Sequence, residues 1–246
     1  MFEAEQRQYA ELGGDYFWLA GKRGLAWSVF RQINPDAAAN GKVLDIGCGP
    51  GYAFAEAAGW GELYGLDPSR EALLLCRQNS RQGARLVNGS AERLPYKDGS
   101  FSVVIAFEIF EHLENDAAAI GECFRILQPG GWLIFTVPAF QWLWGDHDDL
   151  YFHKRRYTTG QMRRRLREAG FRVKRLTYCH ALFTLPLWLT RRVKRWTANG
   201  TKRDDFVRLS PRMNRFLTGV VLSESILLKQ WDMPCGTSII GIACKS

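Results

Sequence analysis

The feature that most constrains the fold is Val43–Gly51, VLDIGCGPG, in which three alternate glycines directly follow an apolar run. The segment KVLDIG (Lys42–Gly47) predicts a buried strand, and the residues after the glycines predict a helix over Gly51–Ala58. Glycines here allow positive φ and let a ligand lie against the backbone. The helix start presents unpaired N–H groups to an anionic or polar ligand end, so the turn indicates a ligand site.

Two acidic residues accompany this turn. Asp45 lies inside the first strand, and Asp67 ends the next strand, 18 residues beyond Gly49. A carboxylate in Asp67's position suits the two hydroxyls of a ribose. Glycine turns of this kind also occur in dinucleotide-binding proteins, so a nicotinamide-dependent dehydrogenase remains an alternative at this point.

The rest of the chain alternates between short apolar runs and longer helical patterns. The strands expected after the first are Leu63–Asp67, Arg85–Val87, Phe101–Phe107, Trp132–Val137, Phe171–Cys179 and Ser238–Cys244. Helices are expected over Arg70–Arg81 (capped by Ser69), Asp116–Leu127 and Thr159–Ala169. This alternation predicts an α/β protein with a mostly parallel sheet and helices on both faces.

Fifty-eight residues, 180–237, separate the last two expected strands, which is longer than an ordinary connection. Two amphipathic helical patterns occur there, marked by Leu182, Leu185, Leu189, Val193 and Trp196, and then by Met213, Phe216, Val220, Leu227 and Trp231. We therefore expect one domain formed by residues 1–179 and 238–246, with a helical cap over 1–40. Residues 180–237 are expected to form an inserted basic and apolar helical lid.

Composition excludes several other classes. The 246 residues are 46% hydrophobic and 24% charged, which is typical of one globular domain and not of a disordered, collagenous or disulfide-rich chain. Six cysteines without a CxxC pair are expected to be reduced, mostly buried residues. No apolar run reaches the ~18 residues of a membrane span, and no signal pattern opens the sequence. We expect a cytoplasmic protein.

Charge is distributed unevenly along the chain. Residues 151–246 contain 21 Lys and Arg against 5 Asp and Glu, a net charge of +16, whereas residues 1–150 carry a net charge of −8. A strongly basic half of the chain is typical of proteins that bind nucleic acid, a phosphate-bearing substrate or the inner membrane surface. A solvated arginine-rich surface is the alternative.

Four successive segments resemble one family. They are VLDIGCGPG, then LYGLDPS, then NGSAERLPYKDGSFSVVIAFEIFEHL, and finally LQPGGWLIFTVP. Over about Gly41–Cys179 the chain resembles the class I S-adenosylmethionine-dependent methyltransferases. The resemblance implies a Rossmann-like sheet of seven strands, the last antiparallel, with S-adenosyl-L-methionine as the cofactor.

The resemblance also implies the cofactor contacts. It places Asp45, Gly47, Cys48, Gly49 and Gly51 at the methionine end, Asp67 and Pro68 at the ribose and adenine, Ser90, Ala91 and Glu92 in the adenine loop, and Phe107 and Glu108 near the sulfonium. In some relatives an aromatic and basic N-terminal segment covers the cofactor, which implies roles for Trp18 and Arg23. An aromatic anchor with a solvated arginine is the alternative. Ser90 and Ser102 stand where relatives often carry Asp.

The run Trp142–Thr158, WLWGDHDDLYFHKRRYT, follows the fifth strand, where ligands bind in open parallel sheets. It resembles a loop of methyltransferases suspected to act on envelope glycans or lipids. His147 and His153 are candidate general bases, since histidine titrates near working pH. Asp146 or Asp148 is expected to orient one of them, and no metal is expected. In the alternative interpretation, His153, Arg155 and Arg156 anchor the loop, while His112 packs near the cofactor.

These features together favour methyl transfer to oxygen of a small or lipid-linked, glycan-like acceptor. The basic half and apolar lid favour peripheral contact with an anionic membrane on its inner face. Two alternatives stay open, an RNA methyltransferase and a non-catalytic S-adenosylmethionine-binding partner subunit. The chain lacks an evident RNA-binding module, so nucleic acid is the less favoured partner.

Overall fold

The structure, a computed structural model, describes residues 13–34, 41–80, 83–197 and 204–246. It contains a central sheet built from the strands β1 (Gly41–Ile46), β2 (Gly61–Asp67), β3 (Arg85–Asn88), β4 (Phe101–Phe107), β5 (Leu127–Pro138), β6 (Arg172–Cys179) and β7 (Ser238–Cys244). The strand order is β3-β2-β1-β4-β5-β7-β6. All pairs from β3 to β5 are parallel, and β7 runs antiparallel to both β5 and β6.

This topology confirms the expected mostly parallel seven-stranded sheet with an antiparallel last strand. In the sheet, β2 and β3 lie on one side of β1, and β4 lies on the other side of β1. Connections therefore diverge at the carboxyl ends of β1 and β4. In open α/β sheets this divergence opens a crevice for ligands.

Helices cover the sheet and form the insertion. They are α1 (Phe17–Ile33), α2 (Phe54–Ala57), α3 (Arg70–Asn79), α4 (Asp116–Ile126), α5 (Asp146–Leu150), α6 (Thr159–Glu168), α7 (Thr184–Thr197) and α8 (Pro211–Leu228), with short 3-10 turns at Gln141–Leu143 and Ala181–Phe183. The expected N-cap of α3 is confirmed, since the Ser69 hydroxyl accepts a hydrogen bond from the Ala72 N–H at 3.2 Å.

Two elements differ most from their expected bounds. The helix after the glycine turn starts only at Phe54, because Gly49 and Gly51 have φ of +50° and +82° and cannot continue a right-handed helix. The fifth strand begins at Leu127 rather than Trp132. Residues Pro129–Gly131 therefore lie inside the strand, where the Gly130 N–H donates to the Lys245 carbonyl at 2.8 Å.

The core consists of two apolar layers, one on each face of the sheet. Alternation along β1 separates them, since Leu44 and Ile46 face one layer and Val43 faces the other. On the second face, α1 buries Trp27 and Phe30 against the sheet. Both faces are therefore covered, which agrees with the apolar character of the strands.

The first and last helices pack closely together. A Cβ placed on Gly21 of α1 would lie 2.4 Å from Cγ1 of Val221 in α8, so only glycine permits this approach. The carboxamide of Asn214 in α8 accepts from the Phe17 N–H at 2.8 Å and donates to the Asp15 carbonyl at 2.8 Å. These contacts hold part of the 180–237 segment against α1, beside the crevice.

The insertion exposes apolar side chains and buries an arginine. In α7, Leu185 and Leu189 are 63% and 48% exposed, whereas Arg191 is buried. It is buried because Asp148 and Asp205 accept hydrogen bonds from its guanidinium, which compensates its desolvation. The side chain of Trp196 lies outside the described residues.

Within the described ranges, no helix is both long enough and apolar enough to cross a bilayer. All six cysteines are free thiols, and all but Cys235 are buried, which agrees with the expectation for reduced apolar residues. Residues 1–12 and 35–40 of the expected helical cap lie outside the described part of the chain.

Candidate functional site

A cavity of about 400 Å³ lies at the carboxyl ends of β1, β2 and β4. Its wall comes from α1, the glycine turn, the ends of these strands and the segment after β5. Of the residues expected to contact a cofactor, the wall contains Arg23, Asp45, Gly47, Cys48, Gly49, Asp67, Pro68, Ser90, Ala91, Phe107 and Glu108. The two expected bases, His147 and His153, lie in the same wall. The sequence therefore located this cavity.

Three expected cofactor residues lie outside this wall. A Cβ on Gly51 would lie 2.7 Å from the Cys76 sulfur, so Gly51 shapes the turn behind the cavity. Glu92 accepts a hydrogen bond from the Asn115 N–H at 2.7 Å and so fixes a neighbouring loop. The Trp18 ring packs 4.5 Å from the ring of His180. For these three residues a cofactor contact stays a prediction.

The glycine turn is held by the adjacent strand. The N–H groups of Gly47 and Cys48 both donate to the Leu66 carbonyl, at 2.6 Å and 3.1 Å. A Cβ placed on Gly49 would meet no atom within 4 Å, since that position faces the open cavity. Any side chain there would occupy space that a ligand needs. The turn therefore forms a backbone surface suited to close ligand contact.

Asp67 is a buried carboxylate at the end of β2. One of its oxygens accepts from the Gly49 N–H at 2.9 Å, and the other accepts from the Ser69 N–H at 2.8 Å. These bonds join the ends of β1 and β2 and fix the orientation of the carboxylate in the cavity wall. Each carboxylate oxygen accepts more than one hydrogen bond, so Asp67 keeps capacity for hydroxyl donors.

Asp45 is buried beside the turn. Burial raises the pKa of this carboxyl well above its usual value, and the nearby Cys76 and Asp67 add to the rise, while Arg23 opposes it. A cationic ligand group in the cavity would restore the ionised form. The ammonium group of an amino acid is one such cation.

Arg23 and its neighbour Lys22 reach the cavity from α1. The Arg23 guanidinium lies 3.1 Å from Glu56 and donates to the Gly14 carbonyl at 2.5 Å, so it is held in place. Lys22, which sequence reasoning missed, pairs with Glu108 at 2.7 Å. Burial acts to raise the pKa of Glu108, but the Lys22 ammonium holds it below its usual value. An isolated lysine in a helix gives no sequence signal of such a pairing.

Each of the two expected bases bonds to a carboxylate. His153 Nδ1 lies 2.8 Å from Asp148, and His147 Nδ1 lies 2.9 Å from Asp204. The expectation that Asp148 orients a histidine is confirmed. His147 pairs with Asp204, which lies 57 residues away in sequence and which the sequence did not indicate. An aspartate in the insertion could not be paired with His147 from sequence because that contact depends on tertiary folding.

Burial makes His153 a neutral histidine. Desolvation lowers its pKa, and the hydrogen bond to Asp148 only partly opposes this. Burial also acts to raise the pKa of Asp148, but bonds to His153 and Arg156 hold it well below its usual value. The carboxylate accepts the Nδ1 proton, so Nε2 is the nitrogen directed to other partners.

The anchoring interpretation of the same loop also has support. The Arg156 guanidinium donates to the Ala139 carbonyl at 3.0 Å and to Asp148 at 2.7 Å. Arg155 donates to the Leu113 carbonyl at 3.1 Å. His153 also bonds to Asp148, so it takes part in the same anchoring network while lining the cavity. The two interpretations therefore overlap at His153.

A set of possible metal ligands lies near the loop. Among the described residues, ligand atoms of Glu111, His112 and His153 lie within 4.8 Å of one another. Burial raises the pKa of Glu111 well above its usual value and lowers the pKa of His112 to about 3. A cation would have to displace a proton from Glu111. His112 lines the cavity, as the sequence indicated.

Comparison with known proteins agrees with this geometry. Residues 44–135 match the family model described as a methyltransferase domain. The chain is 33% identical over 101 residues to the ubiquinone biosynthesis O-methyltransferase of Thiobacillus denitrificans, covering 39% of this chain and 44% of that protein. It is 33% identical over 137 residues to a protein of Mycolicibacterium smegmatis named as an S-adenosylmethionine-dependent methyltransferase, covering 54% and 52%. The chain thus spans about half the length of these relatives.

A solved structure extends the likeness to the whole fold. A Haloferax volcanii methyltransferase, solved in complex with the Trm112 methyltransferase activator, superposes with a TM-score of 0.65 at 18% identity. The match covers 99% of this chain and 95% of that one. At this identity the likeness shows the fold alone.

The sheet order, the glycine turn and the matched domain define a Rossmann-like methyltransferase fold. Residues 44–135 therefore carry a methyltransferase domain, and the described chain shares its overall fold with a solved methyltransferase.

Proposed function

We propose that this protein transfers a methyl group from S-adenosylmethionine to an oxygen of a small or lipid-linked acceptor. The observation that carries the proposal is the cavity in which the glycine turn, Asp45 and Asp67 lie together. S-adenosylmethionine, when bound, supplies a methyl group activated by its sulfonium. The named relatives include an O-methyltransferase, which supports oxygen as the receiving atom.

The residues present fit this cofactor. Gly49 leaves open space for a ligand against the turn, and Asp67 has acceptor capacity for ribose hydroxyls. Asp45 is a buried acid that an ammonium group would ionise. Ser90 and Ala91 line the cavity on the expected adenine side. Arg23, held by Glu56, is placed to meet a carboxylate.

Proton removal distinguishes oxygen acceptors from others. Methyl transfer mainly requires alignment of the acceptor with the methyl group at ~3–3.5 Å. A hydroxyl must also lose its proton, and a positioned histidine is a suitable base. His153 lines the cavity and is neutral because burial lowers its pKa. Its bond to Asp148 fixes the ring so that Nε2 accepts the proton.

Incubation with methyl-labelled S-adenosylmethionine and fractionated cell extract tests the activity. We expect label in a small-molecule or lipid fraction with the wild type, and less by about tenfold or more with Asp67→Ala at subsaturating S-adenosylmethionine. Label in RNA would favour the RNA methyltransferase alternative. Cofactor binding with no label in any fraction would favour a non-catalytic partner subunit and contradict the proposal.

The insertion supports a peripheral location at an anionic membrane. Exposed apolar side chains lie on α7 and α8, including Leu185, which is 63% exposed, and Phe216, which is 66% exposed. Arginines Arg192, Arg212 and Arg215 lie on the same helices. Apolar side chains beside cationic ones suit the boundary between anionic headgroups and acyl chains. The net charge of +16 over residues 151–246 favours an anionic over a neutral surface.

A further inference from the structure

A second cavity, of about 300 Å³, lies beside the first. Four residues belong to the walls of both cavities, namely Lys22, Glu108, His147 and His153. The rest of its wall comes from α1, the end of β5, α7, the segment after Asp204, and α8. A molecule in this second cavity therefore lies beside the same two histidines that line the first cavity.

Most of the second wall is apolar. Its large side chains include Phe17, Trp18, Leu187, Phe206 and Leu217. Trp18, which the resemblance placed over the cofactor, belongs to this wall and not to that of the first cavity. The volume is at the lower end of the range for small-molecule sites, ~300–1,000 Å³. An apolar molecule of modest size fits such a space.

The charged groups of the second wall are paired with each other. Arg191 donates to Asp205 through two nitrogens, at 2.9 Å and 2.7 Å. Arg156 bonds to Asp148 and to a backbone carbonyl. Both guanidiniums are buried and compensated by these partners. An anionic ligand would find no uncompensated cation among them, so the cavity favours a neutral occupant.

A buried polar atom in this wall lacks a partner. The hydroxyl of Thr237 has no hydrogen-bond partner in the described part of the chain, although the residue is only 3% exposed. An unpaired buried hydroxyl is unfavourable, and a hydroxyl-bearing ligand in the cavity can supply the missing hydrogen bond.

We propose that the second cavity is the acceptor site and that it takes a neutral phenol with an apolar substituent. This inference rests on the proposed methyl transfer and adds the substrate class. The phenol oxygen forms a bond to the methyl carbon, and the bond from that carbon to sulfur breaks with its electron pair staying on sulfur. The phenol proton passes to Nε2 of His153. A phenol, with a pKa of ~10 like that of tyrosine, is within reach of a histidine base.

Isothermal titration of the protein saturated with S-adenosylhomocysteine tests the substrate class. The probes are 4-hexylphenol, 4-hexylanisole, which lacks the hydroxyl proton, and the anionic 4-hexylbenzoate. We expect 4-hexylphenol to bind about tenfold or more tightly than either of the others. Equal or tighter binding of the benzoate would overturn the inference.

Substitutions locate the binding site. Leu217→Trp fills the second cavity and is expected to weaken 4-hexylphenol binding about tenfold or more, with unchanged affinity for S-adenosylhomocysteine. The matched control is Leu227→Trp, on an exposed position of the same helix, which should leave both affinities unchanged. Thr237→Val should reduce the preference for the phenol over the anisole. Unchanged phenol binding in Leu217→Trp would overturn the inference.

The two proposals fail differently. If S-adenosylhomocysteine binds and 4-hexylphenol does not, the acceptor inference is wrong while the cofactor site stands. If S-adenosylhomocysteine does not bind, the proposed methyl transfer is wrong, and the acceptor inference fails with it.

Discussion

Lys22 Nζ lies 2.7 Å from Glu108 Oε2, and both side chains belong to the walls of both cavities. The pair joins α1 to the residue after β4. Lys22 is buried, and Glu108 has a positive φ of 55°, unusual outside glycine. This ion pair therefore lies where the proposed cofactor and acceptor sites adjoin.

Removing one partner of this pair should destabilise the fold. In Lys22→Met the buried Glu108 carboxylate loses its compensating cation, so we expect the free energy of unfolding to fall by roughly 3 kcal/mol. The double variant Lys22→Met with Glu108→Gln should recover at least half of that loss. Urea denaturation measures both. If the single and double variants lose the same free energy of unfolding, Lys22 does not compensate the Glu108 charge. The control is Lys154→Met, which removes one partner of a more exposed ion pair.

The activity should depend on pH through His153. Because burial lowers its pKa, the acid limb of kcat/KM should lie below pH 6.5, with activity lost as the pH falls through that limb. His153→Gln should remove the limb and lower kcat by ~10²–10⁴-fold. His147→Gln should retain the limb. If the pH profile of kcat/KM for His153→Gln keeps the same acid limb, a group other than His153 causes it.

His180 should make the protein sensitive to acid. It is fully buried, and neither ring nitrogen has a hydrogen-bond partner within the described residues. Burial lowers its pKa well below 6.5, with the Lys22 charge adding to the effect. The unfolded chain takes up a proton below pH 6.5 that the folded chain excludes, so this contribution to stability is lost as the pH falls.

A single substitution isolates this contribution. From pH 7 to pH 5 the wild type should lose about 1–2 kcal/mol more stability than His180→Asn. Asparagine tolerates the left-handed backbone at this position, where φ is 58°. Denaturant titrations at the two pH values measure the difference. Parallel losses in both proteins would show that His180 is protonated in the fold.

The exposed apolar face of the insertion should bind anionic vesicles. We expect wild-type protein to float with phosphatidylglycerol vesicles and Leu185→Ser with Phe216→Ser to float about fivefold less. Leu74→Ser, at an equally exposed leucine on α3, is the matched control and should not change flotation. Wild-type protein that remains unbound at low ionic strength would refute membrane contact.

Local patterns in the sequence were sufficient to predict the sheet and to place the glycine turn, Asp45 and Asp67 together at its edge. Strand β4 and the last strand agree with their expected bounds, because each is a continuous apolar run between clear breaks. Asp45 and Asp67 lie where the turn's spacing placed them. Such features depend on neighbours in sequence, and one sequence is enough to predict them.

Contacts between distant segments were beyond the sequence. The bond of Asp204 to His147 depends on how the insertion folds back toward the segment after β5. The burial of Arg191 in α7 depends likewise on Asp148, a partner 43 residues away. Helical periodicity identifies the two faces of a helix. It does not show which face packs against the rest of the protein when one carries apolar side chains and the other carries charged side chains with buried partners.

We propose above that the cavity beside the glycine turn binds S-adenosylmethionine. Isothermal titration with S-adenosylhomocysteine measures this binding in the wild type, in Asp67→Ala and in the exposed control Asp98→Ala. We expect saturable binding to the wild type and the control, and affinity weaker by about tenfold or more in a folded Asp67→Ala. An absence of binding, or unchanged affinity in Asp67→Ala, would contradict this proposal.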